Sequence, residues 1–509
     1  MQTFDLIVIG GGITGAGIFR EAAACGLSVL LLEARDFGSG TSSRSSKLVH
    51  GGLRYLKQGA LHLTLDSVRH RERLLKELPG LVTSLPFLMP LYGDTGPSAL
   101  QMKAGLFLYD LMAGRQSHRF LPEKRLTTIL PGIRTRHLNG AFSFEDAQVD
   151  DARLVLRLIQ EGITYKKAMA LNYTEVKGLS RNEKSRVTGV RALDRESGEE
   201  KPFSGRLVIN ATGVLAEKLH HLPDRKQQIR PLRGSHLVFS RDLLPLESAV
   251  SFLHPQDRRP VFFLPWEGAL LLGTTDADAG LQEAARPRIT KEETRYLLAA
   301  ATHLFPHAGF HEKAILATFA GLRPVISEGG DKAPSEESRE HEIWQSPGLI
   351  SVTGGKLTTF RKLAWDTLKH ASRQLPMALP DEKAPLVPEN PIPCPDAVSP
   401  LVWQRLSCRY GNLLERMASL PPKLLTKIPG TAHLWAEIPL AAGERGVYHL
   451  DDLLLRRLRL GLLLREGGMD IMEGIRELAL PVLGWREEKW ETEVVRYQLL
   501  WQKDHGVPG

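Results

Sequence analysis

This 509-residue sequence predicts an α/β architecture built from two kinds of sheet layer, with an all-helical part at its C-terminal end. Three observations predict it. The first 33 residues spell a strand, a helix and a second strand; later apolar runs of strand length end in small residues; and helical patterning takes over after a proline-dense stretch.

Leu6–Ile9 is a short apolar run of the kind buried in a parallel sheet, and it leads directly into Gly10-Gly11-Gly12. From Ile13 to about Cys25 small and apolar residues recur at helical spacing, and Gly26 supplies the stop. Leu27–Leu32 is a second buried strand that ends at Glu33. Arg206–Asn210 and Leu349–Val352 read as further strands of this layer, whereas Ala141–Glu145 and Pro260–Leu264 fit a different, mixed sheet inserted by long crossovers. Ala99–Arg115 reads as an amphipathic helix rich in Leu, Met and aromatic residues. Eight prolines between 376 and 400 exclude helix and central strand there, leaving a linker or an extended wrap. Beyond it the pattern is helical, as in Asp451–Arg465. The expected division is residues 1–375 for the two sheet layers, with the inserted layer at roughly 60–200 and 230–345, then the 376–400 linker and a helical domain over 401–509.

Composition narrows the function classes. With 42% hydrophobic and 24% charged residues, the chain is neither disordered, collagen-like nor a coiled coil. The net charge of +8 favours anionic partners, such as phosphorylated small molecules or anionic lipid, and the absence of a Lys/Arg block or aromatic-basic alternation disfavours nucleic acid. Cys25, Cys394 and Cys408 form no CxxC pair and no metal-ligand spacing, so no metal is expected and a reducing, cytoplasmic compartment is. The N-terminal run lacks a basic region and continues into glycines, so it reads as a strand and not as a signal peptide. No run approaches the roughly 18 apolar residues of a membrane span, so any membrane contact is peripheral.

The glycines between the first strand and the helix follow Gly10-x-Gly12-x-x-Gly15. The first permits a tight turn, the second lets backbone approach a pyrophosphate, and the third lets helix pack on strand. Phosphates then meet free amides and the positive dipole end at the helix N-terminus. Glu33, 18 residues after Gly15, is placed to accept hydrogen bonds from ribose hydroxyls. This Rossmann-like unit binds a dinucleotide, and its position at the N-terminus favours FAD over NAD only modestly.

The following run, Gly40-Thr-Ser-Ser-Arg-Ser-Ser-Lys-Leu-Val-His-Gly-Gly-Leu-Arg-Tyr55, offers hydroxyls from Thr41, Ser42, Ser43 and Ser46 to phosphates and a ribityl chain. Gly51-Gly52 lets backbone approach a flat ring, and Arg54 with Tyr55 directs charge and a hydroxyl at an anion. Val208-Ile-Asn-Ala-Thr-Gly213 is a second place where small residues, Ala211, Thr212 and Gly213, admit a cofactor. Gly354-Gly355-Lys356-Leu357-Thr358 follows a strand and opens a helix whose amides can face a carbonyl that gains negative charge on reduction, and Lys356 adds a full positive charge.

The run Thr41–Leu56 resembles the signature of FAD-dependent glycerol-3-phosphate dehydrogenases, of the aerobic, quinone-linked kind, within the glycine/D-amino-acid-oxidase-like flavoproteins. The resemblance recurs in family order at Val149–Leu154, Val208–Gly213, Arg233-Gly-Ser-His236, Gly273-Thr-Thr-Asp276, Gly321-Leu-Arg-Pro324, Ser338-Arg339, Gly354–Thr359 and Asp451–Arg457, covering nearly the whole chain. It implies an FAD domain with Thr41, Ser42, Ser43, Ser46, Lys47, Leu48, Gly51, Gly52, Gly355, Lys356, Leu357 and Thr358 against the cofactor, an interleaved substrate domain, and a helical cap. It also implies oxidation of sn-glycerol 3-phosphate to dihydroxyacetone phosphate, with hydride going to flavin N5 and electrons to membrane quinone.

Within that reading His236 is the expected base, because a histidine titrates near working pH. Arg323 resembles the family's active-site arginine, which stabilises a developing alkoxide. Arg54 and Arg339 look like the phosphate clamp, with Tyr55 and Thr275 as neutral donors and Lys356 beside the reacting centre. The cap resembles the family less between Ala436 and Tyr448, where it is shortened. Expected partners are a phosphorylated polyol, quinone, the inner face of the cytoplasmic membrane through Ala99–Arg115, and a second copy as a homodimer. Two alternatives stay open in the residues themselves: an oxidase using oxygen or acting on an amine or 2-hydroxy acid, and a non-catalytic flavin-binding redox partner.

Overall fold

The computed structural model describes residues 3–53, 56, 59, 61–94, 96, 98–220, 228–327, 341–386, 392–396, 398–417 and 420–509. Thr3–Ile9 and Val29–Leu32 pair in parallel around the helix Ile13–Ala24, so the N-terminal strand-helix-strand unit forms as expected. The helix ends at Cys25, and Gly26 takes φ +79, which a residue with a side chain seldom adopts. Glu200–Asn210 and Leu349–Gly354 add parallel strands on the other side of Thr3–Ile9. Among the described residues this first sheet runs in the order 341–346, 349–354, 200–210, 3–9, 29–32, 168–171, with the hairpin 174–181/187–194 joined to 200–210. Three strands within 168–194 thus belong to the first sheet, so the second layer's share of the expected 60–200 span ends before them.

The second sheet runs 277–278, 228–240, 269–273, 260–266, 249–253, 82–92, 138–149, 119–121, with the long strand Ile315–Ser327 antiparallel to Gln228–Ser240. Its strands are mostly antiparallel, as the mixed-layer reading anticipated, and among the described residues only 249–253 and 82–92 pair in parallel.

The C-terminal residues are helical but do not form a separate core. Leu453, Leu460 and Trp501 pack in one cluster with Val238, Leu271 and Phe319 of the second sheet. Buried ion pairs tie them to the first layer too: Arg456 and Arg457 both reach Asp36, Arg153 reaches Glu444, and Arg409 reaches Asp150 at 2.7 Å. The continuous helix read through Asp451–Arg465 is broken. A π-helical turn spans Leu453–Arg457, Arg459 has φ +66, and a new turn covers Leu460–Leu463. The break turns the Arg459 guanidinium inward, where it donates to Asp151 Oδ1 at 3.1 Å and the Ser43 carbonyl at 2.8 Å. Of the proline-dense segment, Ala384 and Pro385 lie as a wrap: Arg20 donates to the Pro385 carbonyl at 2.6 Å, Arg361 to the Ala384 carbonyl at 2.5 Å, and Leu386 is buried.

Candidate active site

A continuous cavity of 2190 Å³ runs from the carboxyl ends of the first sheet's strands to the second sheet. At its first end Gly10 has φ +106, and a Cβ there would sit 2.6 Å from the Ala211 carbonyl oxygen. Gly12, the N-cap of the first helix, has no side chain to cover the helix amides, and the Ile13 amide donates to Ser42 Oγ at 2.9 Å. Glu33 accepts from the Gly11 amide at 2.7 Å and the Arg35 amide at 2.9 Å, so one carboxylate braces the glycine turn while its remaining lone pairs stay available. Burial outweighs those hydrogen bonds and raises the carboxyl above its ordinary range. Ala211, Thr212 and Gly213 close one wall here.

Gly52, Leu48, Ser46 and the segment Gly354–Thr358 line the middle of the cavity. Gly355 takes φ +74 with Leu363 directly beneath it, and Lys356 Nζ lies 3.4 Å from Ser67 Oγ. At the second-sheet end the Arg323 guanidinium lies over Gly234, where a Cβ would come within 2.7 Å of it. It donates to Asp276 Oδ1 and to Thr274 Oγ1, each at 2.9 Å.

Most of the residues singled out in the sequence line this cavity, but several lie outside it or, like Thr41 and Thr275, line it with their hydroxyls engaged elsewhere. Gly15 lies against the Gly10 carbonyl and serves helix packing. Ser43 is buried, and its carbonyl accepts from Lys47 at 2.6 Å. Lys47 points away from the cavity into the second layer's support: its ammonium donates to both Asp151 oxygens at 2.9 Å, and burial with Arg459 nearby pushes it down to about 7. Gly51 is small because of Tyr109 and Val68, not because of a ring: a Cβ would strike the Tyr109 hydroxyl and come within 2.5 Å of Val68, and the Gly51 amide donates to Asp146. Thr41 spends its hydroxyl on the Leu322 carbonyl at 2.5 Å. Thr275 donates to Glu293 at 2.6 Å and accepts from the Ser235 amide at 2.9 Å, so the hydroxyl facing Arg323 is that of Thr274.

His236 is the largest departure. It is 1% exposed, stacked on Phe319, and its Nε2 lies 2.9 Å from Ser46 Oγ, so it meets the cavity only through Ser46. Burial, Arg323 and Lys47 together hold its pKa well below the ordinary histidine value. His50, which the sequence reading passed over, lines the cavity, and its carbonyl accepts from Thr358 at 3.4 Å. Its place inside the serine- and glycine-rich run was the available signal. Arg258 and Arg259 also line the second-sheet end. Arg54, Tyr55 and Arg339 lie outside the described residues. Among the described residues no His/Cys/Asp/Glu group could hold a metal.

Known proteins resemble this chain in sequence and fold. The model of the FAD dependent oxidoreductase family matches residues 5–360, and that of the C-terminal domain of alpha-glycerophosphate oxidase matches residues 352–490. The chain belongs to the FAD-dependent oxidoreductases; it is an enzyme and its cofactor is FAD. The glycine cradle, the open helix N-terminus and Glu33 fit that cofactor, and Gly10, Gly12, Glu33, Ser42 and Ala211–Gly213 are the candidates to hold its ADP part. Glycerol-3-phosphate dehydrogenase 2 of Mycobacterium bovis is 34% identical over 97% of this chain and 88% of that protein. The aerobic glycerol-3-phosphate dehydrogenase of Bacillus subtilis is 38% identical over 71% of this chain and 66% of that one. The FAD-complexed glycerol-3-phosphate dehydrogenase structure from Bacillus halodurans has a TM-score of 0.72 at 25% identity, covering 99% of this chain and 94% of that one. Within the oxidoreductases, the chain is a member of the glycerol-3-phosphate dehydrogenase family.

Proposed function

We propose that this enzyme oxidises sn-glycerol 3-phosphate at C2 to dihydroxyacetone phosphate and passes the electrons to membrane quinone. The observation that carries the reading is one cavity joining a dinucleotide cradle to a cationic wall, with Arg323, Arg258, Arg259 and Lys356 on it. A phosphate dianion is matched by such donors, and Arg54 and Arg339 complete the clamp in this reading. When bound, FAD supplies a two-electron acceptor for the C2 hydrogen.

The chain's own residues do the rest. His50 accepts the hydroxyl proton: it is half-buried, it lines the cavity, and it adjoins Thr358 in the segment that opens the next helix. Arg323, held by Asp276 and Thr274, stabilises negative charge growing on the C2 oxygen. Lys356 adds positive charge from the opposite segment.

Membrane contact, in this reading, is made by the helix Ala99–Ala113. Leu100, Phe107 and Leu111 are 78%, 64% and 68% exposed on one stripe, with Lys103 between them. Met102, Gly105 and Leu108 of the same helix line the cavity, so a quinone arriving from lipid would meet the cavity at this wall. No helix among the described residues is long and apolar enough to cross a membrane.

The test is anaerobic titration of the FAD-loaded enzyme with sn-glycerol 3-phosphate, followed at the flavin absorbance band. Bleaching by this compound, but not by glycerol or the enantiomer, is expected. Reoxidation by a soluble quinone should then outpace reoxidation by oxygen; the reverse order would overturn the acceptor and keep the substrate.

A further inference from the structure

The buried Ser46–His236 pair supports an inference that rests on the function proposed above. A neutral imidazole carries one N–H and one lone pair. His236 Nε2 lies 2.9 Å from Ser46 Oγ, while Nδ1 is buried without a hydrogen-bond partner. A proton on Nδ1 would leave an orphaned donor in the core, which folded proteins tolerate less often than an orphaned acceptor. A second proton is opposed by burial and by the cationic Arg323 and Lys47. The ring is therefore neutral with its proton on Nε2, donating to Ser46 Oγ. That leaves the hydroxyl hydrogen of Ser46, a cavity-lining residue, for an acceptor in the cavity.

The position of that donor matters. Gly234 and His236 are two apart on the strand Gln228–Ser240 and so share a face, roughly 6–7 Å apart. The Arg323 guanidinium lies over Gly234, and Ser46 Oγ lies at His236. An oxygen atom seated between the two can accept from each at the usual hydrogen-bond distance of about 3 Å. The stacked Phe319 on one face and Gly273 on the other hold the imidazole in place: ring centroids are 4.6 Å apart with 8° between planes, and a Cβ at Gly273 would lie 2.8 Å from the imidazole Nε2.

We propose that Ser46 and Arg323 form a two-donor site for the reacting C2 oxygen, and that His236 is a positioning residue that fixes Ser46 as a donor. No bond is made to either residue; the C2 oxygen gains negative charge as its proton leaves and becomes the ketone oxygen.

The experiment uses the FAD-loaded enzyme with Ser46→Ala, Ser46→Thr, His236→Phe and the Ser46→Ala/His236→Phe double variant. Steady-state kinetics with sn-glycerol 3-phosphate are measured from pH 5.5 to 9.5, and binding of dihydroxyacetone phosphate and of 3-hydroxypropyl phosphate, which lacks the C2 oxygen, is read from flavin difference spectra. Ser46→Ala should lower kcat about 100-fold, the scale of losing one such donor, with KM changed less than threefold. His236→Phe should give the same loss with the acid limb of the pH profile intact, the double variant no further loss, and Ser46→Thr near-normal turnover. Binding of dihydroxyacetone phosphate should weaken in Ser46→Ala while binding of 3-hydroxypropyl phosphate does not. Loss of the acid limb in His236→Phe would make His236 the base and overturn the proposal. So would multiplicative losses in the double variant, or equal weakening of both ligands. If His236→Phe does not fold, the Ser46→Ala binding comparison decides alone. A wild-type flavin that sn-glycerol 3-phosphate fails to reduce would instead overturn the proposed function, and this proposal with it.

Discussion

Replacing Glu33 tests the link between the glycine turn and the cofactor. Its half-buried carboxylate accepts two backbone donors, from Gly11 at 2.7 Å and Arg35 at 2.9 Å, at the cavity wall. A hydrogen bond to a charged group contributes about 1.5–3 kcal/mol net, and a buried donor left unpaired costs a similar amount. Glu33→Ala removes both, so the apoprotein should lose about 3–6 kcal/mol on those figures. Glu33→Gln keeps one acceptor and should lose about half of that. If the remaining lone pairs also hold ribose hydroxyls, FAD affinity should fall a further 10- to 100-fold, which is about 1.4–2.8 kcal/mol. Chemical unfolding of the apoprotein gives the first quantity, and quenching of FAD fluorescence on binding gives the second. An apo Glu33→Ala variant within about 0.5 kcal/mol of wild type would refute the bracing role, because ordinary surface changes fall in that range.

Other perturbations reach different parts of the molecule. Gly51→Ala should displace Tyr109 from its hydrogen bonds with Arg71 and Asp146 and cost about 1–3 kcal/mol, the usual price of overpacking, measured as a lower unfolding temperature with FAD spectra unchanged. His505 donates from Nδ1 to the Thr318 carbonyl and is buried neutral, with its pKa pushed down from 6.5 to about 3 by burial first and Arg44 next. A folded-state pKa below the unfolded one means full stability above pH 6.5, lost as pH falls toward 3. Between pH 7 and 5 this site should therefore cost about 2 kcal/mol. His505→Phe should flatten that part of the stability–pH curve, and an unchanged slope would exclude His505 as its source. Phe107→Asp with Leu111→Asp should reduce sedimentation with anionic lipid vesicles at least tenfold, each apolar contact being worth about 1.5–3 kcal/mol, while anaerobic flavin reduction by sn-glycerol 3-phosphate stays normal.

How far the chain could be read without its structure differs from segment to segment. The N-terminal unit was legible because its signals are local: an apolar run of strand length, glycines at positions that need φ above zero or bare backbone, and an acid at the end of the next strand. The mixed second sheet was legible as a class, but its partners join residues as distant as Gly234 and Gly321, and no local pattern specifies that pairing. Gly51 illustrates the limit within the site. Its need for smallness was visible, and its cause was not, because Tyr109 arrives from a helix 58 positions later. Arg459 shows the same limit in the cap, where the leucine-rich pattern reads as unbroken helix and the inward ion pair with Asp151 breaks it.

By itself the sequence determined the cofactor cradle, the family and the set of charged and hydroxyl-bearing residues from which the site is made, since each rests on residue type and short spacing. Only the tertiary structure decided which of them face the cavity. Lys47 adjoins Ser46 in one recognisable motif and His236 sits in another just as recognisable, yet the pull of Asp151 and burial against Phe319 take both side chains out of the cavity wall. The physical reason is that a side chain's direction and solvation come from the elements packed against it, which the chain supplies from hundreds of residues away.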